Sequence, residues 1–300
     1  MEKLTPEIIK QAIQNGRIFM PYDNENIILY KRFTVRDEFV AEYVQSINRL
    51  ADEGINTPRI KDYKILSEPS AYGYSKYVIL EEKAKGNNFD YKEDTYLSIS
   101  ETKPDFEKTS IIYLQRLDEY INEISLRADA PIEHYLKLVT DYIYITNQGL
   151  QIDPKPLNFF FDKDIGFTFI DINGRGKSDL KMYLPRYIFG CVLGYGIPSL
   201  SIGITHYNYI DQERLNRLKE AYNNIITKIS AVLIKQGYSK EHIIEDSKNW
   251  IYQLNSLKLL EPIEDISNTL AIDFAKIKEE QAAKQAAEKG SDPDDWTIGW

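Results

Sequence analysis

Cysteine, histidine, glycine and positive charge are all scarce where they would matter most, and each shortage closes a class of function. Cys191 is the single cysteine, so the chain has no intrachain disulfide. Set in the apolar run Ile188-Phe-Gly-Cys-Val-Leu, it reads as a small buried hydrophobe. The three histidines, His134, His206 and His242, lie far apart and have neither metal-ligand nor triad spacing. Before residue 31 the only glycine is Gly16, so no glycine-rich run of backbone amides is there to wrap an anion. Lys and Arg number 37 against 46 Asp and Glu, a net charge of −9. A nucleic-acid partner would favour a basic patch, so none is expected. No apolar run reaches the ~18 residues of a membrane span, and Met1-Glu-Lys-Leu-Thr-Pro has no signal-peptide core. A soluble, cytoplasmic protein is expected.

What is present is enough apolar sequence for a sizeable core, 43% of 300 residues. Thr5 as N-cap, Pro6 at the first helical position and Gly16 as a stop predict a helix over 5–15. Arg17–Tyr22 and Ile27–Phe33, split by Asp23-Asn-Glu-Asn, predict a hairpin. Phe39, Val40, Val44, Ile47 and Leu50 recur at helical spacing over 35–53, and Gly54 ends that helix ahead of Thr57-Pro58. Strands are predicted at 59–66 and 74–80, then a long loop or insertion at 87–105. Beyond it the pattern turns helical: 107–126, 131–146, 180–193, 211–236, 239–255 and 263–287. A second hairpin, Phe159-Phe-Phe against Phe167-Thr-Phe-Ile, interrupts the run. A strand-rich first third against a helix-rich remainder predicts an α+β chain of two lobes, with residues 1–86 in the first, 87–288 in the second and 289–300 as an acidic tail.

The chemistry gathers at 151–173. Asp153, Lys155, Asn158 and Asp171 bring two carboxylates, an amide and an ammonium into one short stretch. Such a set can hold Mg²⁺ on a triphosphate, neutralise a migrating phosphoryl group and orient an attacking hydroxyl. The competing reading is that Asp153-Pro and Asn158 merely form turns, which those residue types favour anyway. Asp171 argues otherwise, because a carboxylate closing an apolar strand needs a partner.

This order of elements and residues resembles the protein-kinase-like superfamily over residues 17–175. In that superfamily's catalytic loop an aspartate is followed by an asparagine five residues on, with a lysine two after the aspartate in Ser/Thr kinases; Asp153, Lys155 and Asn158 match. Asp171, thirteen past Asn158, matches the metal aspartate beyond the hairpin. The resemblance implies a two-lobed fold, ATP and Mg²⁺ as cofactors, Asp153 and Lys155 as catalytic groups and Asn158 and Asp171 as metal ligands. Lys31 resembles the strand lysine that contacts nucleotide phosphates, with Glu42, or alternatively Glu38 or Glu53, as its ion-pair partner. Tyr77–Gly86 resembles the strand and hinge between lobes, with the backbone of Glu81, Glu82 and Lys83 reading the adenine edge and Leu80 at the back of the pocket.

The implied partners are a nucleotide and a hydroxyl-bearing acceptor. Lys155-Pro156 leans toward a protein acceptor, whereas Gly54-x-x-x-Pro58, as in aminoglycoside phosphotransferases, leans toward a small molecule. Gln151-Ile152 replaces the usual histidine with arginine or glycine before Asp153, and Ile172-Asn173 replaces Phe-Gly after Asp171. These departures, with the missing glycine loop, motivate the alternative of a pseudokinase that binds a protein. Asp292-Pro-Asp-Asp-Trp-Thr-Ile-Gly-Trp300 reads as a disordered terminus, or alternatively as a docking segment for that partner.

Overall fold

The computed structural model describes residues 4–14, 19–31, 37–66, 76–87, 106–154, 158–173, 180–193 and 211–247. Expectations for Gly16, residues 88–105, Lys155, Gly174, Gly176, His206 and everything past 247, tail included, lie outside these residues. So does the side chain of Lys31. All described residues belong to one compact unit, Met1–Leu260, and none of its described helices is long and apolar enough to cross a membrane.

The chain opens with α1 (Pro6–Gln14), where Thr5 Oγ1 accepts the Ile8 N–H at 3.4 Å. Strands β1 (Phe19–Pro21) and β2 (Asn26–Lys31) follow as the expected hairpin. Its turn is built by Asp23, whose carboxylate accepts the N–H groups of Glu25 and Asn26 at 2.7 and 2.8 Å and the Asn26 side-chain amide at 2.8 Å. Those hydrogen bonds, the Asn26 side chain first, hold the Asp23 carboxyl below the usual range. Helix α2 (Asp37–Asp52) and strands β3 (Ile60–Ile65) and β4 (Tyr77–Glu82) complete an antiparallel sheet in the order β1-β2-β4-β3. The most apolar strand takes an inner place, and Tyr77, Val78, Ile79 and Leu80 are all buried. It also runs two residues beyond the predicted Leu80, so Glu81 and Glu82 are sheet rather than a free connection.

Side chains alternate across a strand. On one face Ile28, Val78 and Leu80 pack with Ala12 of α1, supported by Leu4, Ile8 and Met20. Tyr77, Ile79 and Glu81 take the other face, toward α2, where Tyr43 lies within electrostatic range of Tyr77 and Glu81. Asn48 fixes α2 to the sheet by bracketing the Ile60 backbone, donating to its carbonyl at 2.9 Å and accepting from its N–H at 2.8 Å. Gly54 ends α2 with φ 85°, the left-handed conformation that glycine adopts without steric cost.

The helical part consists of α3 (Phe106–Asp129), α4 (Ile132–Asn147), α5 (Leu180–Val192), α6 (Gln212–Lys235) and α7, described over 240–247. Helix α6 packs on α3, α4 and α5. Arg214 clasps Asp118 with Nε and a terminal nitrogen at 2.8 and 2.9 Å, and Lys228 donates to the Ala128 and Ala130 carbonyls at the end of α3. Pro185 sits inside α5, and at the next residue the Arg186 N–H donates to Asp246 Oδ2 at 2.7 Å. Between α4 and α5 lie β5 (Gln151–Ile152), β6 (Phe159–Asp162), β7 (Gly166–Phe169) and β8 (Ile172–Asn173), pairing β5 with β8 and β6 with β7.

Two stretches tie the sheet to the β6–β7 hairpin. At the corner after α2, Asn56 accepts the Phe169 N–H at 2.8 Å, and its side-chain amide donates to the Ile165 carbonyl at 2.9 Å. Around it Lys137 reaches the Gly54 carbonyl, Tyr144 the Glu53 carboxylate and Arg49 the Gln148 side chain. After β4, Asn87 and Phe161 exchange both backbone hydrogen bonds, at 2.9 and 2.8 Å.

Candidate active site

The pairing of β5 with β8 brings the sequence-predicted carboxylates to one place. Ile152 lies opposite Ile172 in an antiparallel ladder, so the next residue on one strand, Asp153, and the preceding residue on the other, Asp171, share the same end of it. Asn158 closes the arrangement. It is 3% exposed, its side-chain amide donates to the Asp153 carbonyl at 3.1 Å, and its own carbonyl accepts the Ile170 N–H at 2.9 Å. One buried residue therefore ties the Asp153 backbone to the segment before Asp171. Among the described residues, Asp171 is the only non-glycine with positive φ, 54°. Aspartate tolerates this region better than most residues, and such backbone strain concentrates at functional positions.

Asp153 and Asp171 are both half-buried. On one side Asp153 is within electrostatic range of two buried groups, the Tyr142 phenol of α4 and the Cys191 thiol of α5. Burial is the main cause that raises both of those groups above their ordinary ranges, with Asp153 adding to it. Cys191 is fully buried, as its apolar setting led us to expect.

The loop is held from below by α5. A Cβ built on Gly190 would lie 2.7 Å from the Pro154 carbonyl oxygen, closer than carbon and oxygen pack without displacement. Gly190→Ala is therefore expected to push the Asp153–Pro154 backbone outward. Urea denaturation reads the cost, about 1–3 kcal/mol of stability, the range for forcing extra volume into a packed interior.

The sheet side departs from expectation. Leu80 pairs with Ile28 and is buried under α1, on the face away from α2. The Glu82 and Lys83 N–H groups, expected to read a base, donate to the Arg59 carbonyl at 3.0 Å and the Glu25 carbonyl at 2.7 Å. Glu81 is paired with both Ile27 and Ile60. The Glu82 carboxylate accepts the Arg59 N–H, and Lys83 Nζ donates to the Asn24 carbonyl. The first amide past these for which the described residues hold no acceptor is Ala84. Lys31 ends β2 opposite Tyr77.

Glu42 is exposed on α2, and the Lys31 side chain it is expected to meet lies outside the described residues. The next residue, Tyr43, turns inward and is 8% exposed, in electrostatic range of Tyr77, Glu81 and Asp171. Sequence reasoning passed over Tyr43, although Phe39, Tyr43 and Ile47 form an i, i+4, i+8 line. His134 has a packing role: Nε2 lies 3.1 Å from the Lys163 carbonyl and the ring meets Phe161 edge-on.

The donors fit a magnesium ion. Among the described residues no three His, Cys, Asp or Glu side chains cluster as a protein-only cage. Magnesium is commonly held instead by one or two carboxylates with substrate phosphates and water. With the Asn158 nitrogen engaged at Asp153, its amide oxygen and the Asp171 carboxylate are hard oxygen donors of the kind magnesium takes.

No protein-family model matches this chain, and no curated protein matches it. Among solved structures it is similar to a pseudokinase in its apo form, at 9% identity over 87% of this chain and 98% of that one, with a TM-score of 0.30. A superposition that loose carries no argument, and the residues themselves must carry it.

Proposed function

We propose that the chain is a kinase-like phosphotransferase that passes the γ-phosphoryl group of ATP to a hydroxyl acceptor. The observation that supports this is the Asn158 tie, which fixes the Asp153 loop to the segment entering Asp171. In this reading Asp153 orients the acceptor hydroxyl and takes its proton as the oxygen attacks phosphorus and the bond to the ADP oxygen breaks. Lys155 neutralises charge on the transferred group. Asn158 and Asp171 hold Mg²⁺, which when bound screens the phosphate charge. The base is read by the backbone beyond the sheet, at Ala84 rather than at Lys83, with Ile79 and Glu81 replacing Leu80 on the site-facing side. A small hydroxyl compound fits better than a peptide as acceptor, because residues 174–179 alone join β8 to α5 and leave little chain to support an extended substrate.

The second reading is a pseudokinase that serves as a protein-binding module. Its specific support is the pair Ile172-Asn173, which stands after Asp171 where Phe-Gly is usual.

The deciding measurement is a thermal shift with ATP, with and without Mg²⁺, on the wild type and Asp171→Ala. Mg²⁺-dependent stabilisation is expected in the wild type, about 2.7 kcal/mol at a hundredfold excess over Kd, and its loss is expected in Asp171→Ala. A wild type that fails to respond refutes nucleotide binding. Phosphoryl transfer abolished by Asp153→Ala separates the enzyme from the pseudokinase.

A further inference from the structure

Thr168, in the middle of β7, is a buried polar side chain that the fold leaves unsatisfied. It is 5% exposed, and no described residue gives its hydroxyl a hydrogen bond. A buried hydroxyl without a partner costs stability, and native proteins seldom keep one unless a water, a ligand or a function accounts for it.

Register decides where this hydroxyl points. Opposite residues of an antiparallel pair share a face, so Phe159, Phe161, Phe167 and Phe169 stand together, and Tyr135 of α4 meets the Phe167 ring at 5.5 Å. Thr168 and its cross-strand partner, the half-buried Phe160, take the face turned away from α4. Asn56 holds the hairpin through β7 and Asn87 holds it through β6, so that face lies between the segment entering β3 and the segment leaving β4. The second of these segments carries Ala84, whose N–H also has no acceptor among the described residues.

We infer that Thr168 is a base-contacting residue whose hydroxyl hydrogen-bonds the purine of the nucleotide. This rests on the phosphotransferase reading above, which puts the base at Ala84. The hydroxyl oxygen is closed to solvent, so the base reaches it as the Phe160 side chain opposite moves aside, a rotamer change of the kind that binding commonly brings. A hydroxyl both donates and accepts, which matches a base edge where ring nitrogens and exocyclic groups alternate. One neutral hydroxyl beside one aromatic ring suits a planar, uncharged group and not a phosphate.

Thr168→Val keeps the shape and the branched Cβ and removes the hydroxyl alone. The test measures thermal unfolding of wild type and variant without nucleotide, and titration calorimetry with adenosine and with Mg²⁺·tripolyphosphate, which carries no base. Thr168→Val is expected to raise the melting temperature by about 2–4 °C. It is expected to weaken adenosine binding about fivefold, the scale of one neutral hydrogen bond, with tripolyphosphate affinity unchanged. An unchanged or lower melting temperature means that the hydroxyl has a partner within the fold, and overturns the inference. Adenosine affinity equal to the wild type's, an equal loss for both ligands, or a wild type that binds no adenosine overturns it as well. Adenosine binding that Thr168→Val weakens, beside a wild type blind to Mg²⁺·tripolyphosphate, supports the Thr168 contact and refutes the phosphotransferase reading.

Discussion

Gly86→Ala is expected to destabilise the protein by about 3 kcal/mol, combining left-handed strain with two lost hydrogen bonds. Gly86 has φ 89°, and a Cβ there would lie 2.1 Å from the Phe161 carbonyl oxygen, 2.4 Å from its carbon and 2.7 Å from the Asp162 nitrogen. All three are backbone atoms of β6, so no side chain can rotate away. The clash resolves only by moving the strand or breaking the Asn87–Phe161 pair. Gly54 provides the control. It has nearly the same φ, 85°, but nothing within 4 Å of its Cβ position, so Gly54→Ala carries the conformational strain alone, about 1–2 kcal/mol. Urea denaturation of both variants reads the difference. If Gly86→Ala is no worse than Gly54→Ala, the close approach to β6 does not exist in solution.

The second large effect concerns Arg127, on the last turn of α3. It is 1% exposed, and its guanidinium lies 5.7 and 5.8 Å from the ring centroids of Phe161 and Phe167. Desolvation pulls its pKa down to about 10, opposed by Glu123 one turn earlier and by Tyr135 and Tyr120. Arg127→Ala is expected to cost about 3–5 kcal/mol, because it removes the packing and strands the charges that balance it. Arg127→Met should cost far less or even stabilise, since an unbranched apolar chain fills the same space on two aromatic rings without a buried charge. Equilibrium unfolding of the pair decides between these. Should Met prove as damaging as Ala, the cation itself is holding the hairpin.

The parts of this fold that were legible in the sequence are those set by neighbours in the chain. The β1–β2 hairpin was readable because Asp23 and Asn26 build their own turn. The β6–β7 hairpin was readable because paired aromatic runs flank Asp162–Gly166, and α2 because five apolar residues recur with its period. Asp153, Asn158 and Asp171 could be picked out for the same reason: one hairpin spans their separation. What was not legible needed long-range register. Whether Leu80 faces α1 or α2 depends on how β4 pairs with β2. Glu42 and Tyr43 differ by one residue, and a turn of about 100° on the helix exchanges the exposed side for the inward one. The close approaches of Gly86 to Phe161 and Gly190 to Pro154 leave no local trace, because a glycine chosen for space looks like a glycine chosen for a turn. Lys155 and the Lys31 side chain lie outside the described residues, so their roles rest on spacing alone.

The two ties to the β6–β7 hairpin have a mechanical consequence. Asn56 grips β7 and Asn87 grips β6, each through backbone groups that cannot change partners by rotamer. Sliding the sheet across the hairpin would break both at once, so the two ties together resist shear.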